Sequence, residues 1–91
     1  MQFIVDGVTY EFDRSIKSRR SKDGEFKCQC GSVSSEHIAD AYNGISYDEE
    51  LLSKLNSMEA TICKCSVCGQ FYLETEVNDY DYYYFRAIKE L

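Results

Sequence analysis

Ninety-one residues, 44% of them hydrophobic, make one small domain spanning residues 1–91, because a chain of this size buries only about 60–65% of its unfolded surface. A formal charge of −6 works against general affinity for phosphate, and no stretch is long and apolar enough to span a bilayer. Residues 1–7 lack the basic start and apolar run of a secretory signal, so a soluble, cytoplasmic protein is expected.

The charge is uneven. Residues 1–31 hold six basic and five acidic side chains, whereas residues 32–91 hold four and eleven. Such asymmetry points to two surfaces with different partners.

Residues 3–12 read as a β-hairpin. Asp6-Gly7 lies between β-branched and aromatic residues and suits a tight turn with positive φ angles, and Val8, Tyr10 and Phe12 alternate with Thr9 and Glu11. Arg14, Lys17, Arg19, Arg20 and Lys22 follow with no acid between them, as a basic loop. Asp23-Gly24 then turns the chain into a strand over residues 25–28.

Ser34 or Ser35 caps an expected helix over residues 36–42, with Ile38, Ala41 and Tyr42 on one side and Asn43-Gly44 at its end. Ser46-Tyr-Asp-Glu49 is a capping-box pattern that opens a second helix to about Glu59, with Leu51, Leu52, Leu55 and Met58 as its buried stripe. Phe71, Leu73 and Val77 alternate with Tyr72 and Glu74 as a strand. Asn78 or Asp79 caps a last helix with Tyr80, Tyr84, Ala87, Ile88 and Leu91 on one face, although residues 82–85 also have strong strand propensity. The expected class is α+β: small antiparallel hairpins with inserted helices and a C-terminal helix.

The cysteines organise these elements. Cys65-x-x-Cys68-Gly69 aims two thiolates at one ion over a glycine that lets the backbone turn tightly, and Cys28-x-Cys30-Gly31 is a shorter version of the same device. Together they supply four sulfurs, the number a closed tetrahedral zinc site needs. Five cysteines without a secretory signal suit an ion better than disulfide bridges. Cys63, two residues before Cys65, is an alternative member of the second pair, and His37 another candidate ligand.

Over residues 26–31 and 63–73 the chain resembles zinc ribbons, which pair two such turns at the tips of β-hairpins and use zinc for structure. The resemblance implies Cys28, Cys30, Cys65 and Cys68 as ligands of a structural zinc. Two features depart from it: one residue rather than two separates Cys28 from Cys30, and 34 residues lie between the pairs.

Four sulfurs leave a metal no open position for water, and the single histidine lacks the glutamate two residues on that zinc deaminases use. No phosphate-binding glycine loop and no nucleophile with a base is present, so no enzyme and no small-molecule substrate are expected. The expected function is a non-enzymatic zinc-binding module, an acidic regulator or adaptor of phage-modulator or nucleic-acid-mimic type. It would dock on a basic protein partner through Glu74, Glu76, Asp79 and Asp81, with Tyr82 and Tyr83 as anchors. The alternative is a nucleic-acid-binding ribbon that uses Arg14, Lys17, Arg19, Arg20 and Lys22, an inference to which the zinc-ribbon resemblance adds weight.

Overall fold

The computed structural model of the chain describes residues 2–22, 25–40, 60–76 and 82–91. Seven strands cover most of them: β1 (Gln2–Val5), β2 (Val8–Phe12), β3 (Arg19–Lys22), β4 (Ser35–Asp40), β5 (Ala60–Cys65), β6 (Phe71–Glu76) and β7 (Tyr82–Glu90). They pair antiparallel throughout, in the order β1-β2-β7-β6-β5-β4, and β3 also pairs with β7. The sheet is curled, and among the described residues none is helical.

The first hairpin follows its turn chemistry. Asp6 and Gly7 take φ angles of 50° and 80°, which match the twist of the flanking strands and set Val5 opposite Val8. Phe3 and Val5 then lie on the same face as Tyr10.

The central element is β7. Its first half pairs with β3 (Arg19 opposite Phe85) and its last residues with β2 (Phe12 opposite Ile88), both along one edge, while β6 runs along the other. This overturns the C-terminal helix. Pairing on both edges satisfies the backbone groups of residues 82–90, and tyrosine and phenylalanine fit a pleated surface. Because Phe85 and Ala87 are buried on one face and Ile88 on the other, the period of two is masked and the residues imitate a helical stripe.

The first inserted helix is also corrected. Ser35–Asp40 is strand β4, paired with β5, and Ile38 is an extra residue between His37 (opposite Cys63) and Ala39 (opposite Ile62). This bulge breaks the alternation by which a strand is recognised. Residues 25–28 form no strand, although the Ser21 hydroxyl, donating to the Glu25 carbonyl at 2.6 Å, ties them to β3. The expected helix over residues 46–59 lies outside the described residues. The α+β class therefore gives way to an antiparallel sheet. No described helix is long and apolar enough to cross a membrane.

Alternation sorts the interior into two layers, one on each face of the sheet. One face gathers Phe3, Val5, Tyr10, Ala39, Ala60, Ile62, Leu73 and Ile88. Its rings are in contact, with Phe3 centred 5.8 Å from Tyr10 and Tyr10 5.9 Å from Phe71. The other face gathers Cys28, Cys63, Cys65, Tyr72, Phe85 and Ala87, covered by Ile16 and Phe26. There Phe26 stands edge-on to both Tyr72 and Phe85, at 5.5 and 5.7 Å.

Candidate metal centre

Two turns from distant parts of the chain meet on the second face. In the first, the Gly31 N–H donates to the Cys28 carbonyl (2.9 Å) and the Cys28 N–H to the Ser32 carbonyl (2.8 Å). In the second, the Gly69 N–H donates to the Cys65 carbonyl (3.1 Å) and the Cys65 N–H to the Gln70 carbonyl (2.8 Å). Gly31 and Gly69, at φ 93° and 81°, hold left-handed conformations that a side chain would strain. The Ser66 N–H donates to the Ser34 carbonyl at 3.0 Å and fastens the two turns together.

The sulfurs of Cys28, Cys30, Cys65 and Cys68 all lie within 4.8 Å of one another. Cys28 Sγ is 3.4 Å from Cys68 Sγ, and Cys30 Sγ is 3.7 Å from Cys65 Sγ. A tetrahedral ion with metal–sulfur bonds of about 2.3 Å sets its ligands about 3.8 Å apart, so the four sulfurs form a cage of the right size for one metal ion. Cys28 and Cys65 are buried against the sheet, whereas Cys30 and Cys68 face outward.

The backbone favours thiolates here. N–H groups of Cys68 and Val67 pull Cys65 down to about 6. The N–H of Ser32 favours the Cys30 thiolate and that of Gln70 the Cys68 thiolate, but the neighbouring sulfurs and desolvation outweigh them and raise both. One negative charge therefore forms readily, and collecting four needs a cation among them.

Cys63 stands apart from the cage, opposite Tyr72 and His37 in the sheet. Burial, reinforced by Glu74, pushes its thiol up to about 12. His37 is exposed and bonds Asp40 through Nε2 at 2.9 Å.

Sequence inspection missed Tyr72. Its hydroxyl accepts the Gln29 N–H at 3.1 Å and donates to Cys28 Sγ at 3.4 Å, so it links β6 to the first turn. Alternation within β6 places it opposite Cys63, on the face of the cysteines, and that was the available signal. Burial, with the Cys28 sulfur second, pushes its phenol up to about 12.

The basic residues 14–22 are only partly a loop, since Arg19–Lys22 is strand β3. Lys17, Arg19 and Arg20 line a groove with Ser15, Ile16, Ser18, Lys27, Gln29 and Tyr72. Arg14 does not line it, and the side chain of Lys22 is outside the described residues. Of the acidic–aromatic residues, Glu74 is half-buried on the cysteine-bearing face, where burial raises its carboxyl above the usual range. Tyr83 packs against the same layer. Asp79 and Asp81, and the side chains of Glu76 and Tyr82, are outside the described residues.

No family model, curated protein or solved structure matches this chain. The four cysteines converge as a metal site would, but no family match makes the chain a zinc ribbon.

Proposed function

We propose that this chain is a non-enzymatic, zinc-stabilised binding module of the cytoplasm whose partner is nucleic acid. The zinc assignment is supported by the four-sulfur cage, whose size and ligand chemistry suit an ion that is structural and closed to water. With all four positions taken by sulfur, the ion has no site for substrate, which supports a binding role over catalysis.

The observation that carries the choice of partner is the groove. Among the described residues it is lined by Lys17, Arg19, Arg20 and Lys27 and by no acid, on a chain whose formal charge is −6. Cations gathered in a concavity neutralise phosphates, while the acidic remainder restricts contact to that place. Docking on a basic protein through Glu74, Glu76, Asp79, Asp81, Tyr82 and Tyr83 is the competing proposal, and the inward setting of Glu74 and Tyr83 speaks less for it.

Fluorescence anisotropy of a labelled single-stranded oligonucleotide, titrated with zinc-loaded protein at several salt concentrations, tests the reading. Binding that weakens steeply with salt is expected. Failure to bind the oligonucleotide, with salt-sensitive binding of a basic protein instead, would move the assignment to protein docking.

A further inference from the structure

The groove beside the first cysteine turn encloses about 500 Å³. Its charge comes from Lys17, Arg19 and Arg20 and, seven residues after Arg20, from Lys27, immediately before the candidate ligand Cys28. Among the described residues Lys17, Arg19 and Lys27 form no ion pair and no acid lines the space. Ser18 adds a hydroxyl donor to these cations, whereas the Ser15 hydroxyl already donates to Asp13 Oδ1.

The lining is held in place by local bonds. Asp13 accepts a bond from the Ser15 N–H at 3.0 Å, and Ser21 holds the carbonyl of Glu25, two residues before Lys27. Tyr72 also lines the groove, and its hydroxyl joins the Gln29 backbone to the Cys28 sulfur. Clamping of the four sulfurs by an ion would therefore fix residues 27–30, including Lys27.

We propose that this groove is a phosphate-binding site in which Lys27 and Arg19 both grip the phosphate, and that its affinity depends on the metal cage to which Tyr72 is bonded. The proposal deepens the nucleic-acid reading and rests on it for the source of the phosphate. The same chemistry would also accept free pyrophosphate. The metal dependence follows from the position of Lys27 beside Cys28. Without the cage residues 27–30 lose their anchor, and ordering them again must come out of the binding free energy.

Zinc-loaded protein is titrated with a labelled single-stranded oligonucleotide and, separately by calorimetry, with pyrophosphate. Lys27→Gln and Arg19→Gln should each weaken binding about tenfold and lower the salt slope by about 1, as for one lost charge-assisted contact. Lys89→Gln, on the far end of β7 beside Glu11, should change nothing. Stripping the zinc should weaken binding at least as much as either variant. Circular dichroism of the loaded variants checks that they are folded, since both positions are exposed.

Groove-dependent binding of the oligonucleotide supports both the site and the reading. Oligonucleotide binding indifferent to Lys27→Gln and Arg19→Gln overturns the groove and leaves the nucleic-acid reading standing. Groove-dependent binding of pyrophosphate alone keeps the site and overturns that reading. Binding of neither overturns both, and binding indifferent to zinc overturns the coupling.

Discussion

The two faces of the sheet are held by different forces. On one, Phe3, Val5, Tyr10, Ile62, Leu73 and Ile88 bury apolar surface against one another. On the other, two of the six buried residues are candidate metal ligands, and Cys28 sits on a segment that forms no strand. Apolar burial is distributed and degrades gradually, whereas a metal cage acts through four bonds at one point. The first face should therefore tolerate single changes that the second cannot.

Removal of the metal should have the largest effect. Structural zinc is worth about 10–16 kcal/mol in small finger domains, comparable to the whole stability of a domain this size. A strong chelator at neutral pH should abolish the near-ultraviolet dichroism of the Phe26–Tyr72 cluster, and Cys28→Ser, Cys30→Ser, Cys65→Ser and Cys68→Ser should each lose the ion. Native mass spectrometry should find one zinc per chain. Unchanged dichroism and melting after stripping would mean that the second face needs no metal.

Truncation on the first face should rank next. Leu73→Ala or Ile62→Ala removes a fully buried side chain and should cost about 2–5 kcal/mol in urea unfolding. Zinc content should stay at one per chain. Loss of the ion from either variant would show that the faces are not separable.

Cys63 shares the second face without joining the cage, so Cys63→Ser should keep the ion. The cost is that of burying a hydroxyl, about 1–3 kcal/mol. With its thiol buried and pushed up to about 12, Cys63 should react with an alkylating agent at neutral pH more slowly in the zinc-loaded protein than after the metal is stripped and the second face opens. If Cys63→Ser empties the site and Cys68→Ser does not, the cage has been assigned to the wrong sulfurs.

The smallest effects belong to one half-buried charge on each face. Burial raises the carboxyl of Glu74 and lowers the guanidinium of Arg86, whose Nη1 has no partner among the described residues. A carboxyl raised in the folded state opposes folding once the pH exceeds its unfolded value of 4.5. Glu74→Gln should thus give a slight rise in Tm at pH 7 that shrinks toward pH 4.5. Arg86→Met should leave Tm nearly unchanged, because relief of the burial cost is offset by loss of the contact with the Tyr84 ring, centred 5.6 Å from the guanidinium. A fall in Tm would show that His37, for Glu74, or the Tyr84 ring, for Arg86, outweighs the cost of burial.

The sequence by itself determined whatever is local. Asp6-Gly7 specified its hairpin through positive φ angles, alternation in residues 71–75 specified β6, and the spacing of cysteine and glycine brought out the two sulfur pairs, since each pair is built within a few residues. Tertiary structure decided the rest. Residues 82–90 became a strand because neighbours on both edges take their hydrogen bonds, and residues 35–40 because β5 offers a partner across a bulge. The groove and the Tyr72 bridge join side chains more than 40 positions apart (Cys28 to Tyr72), and no pattern along the chain encodes a contact that only the folded sheet creates.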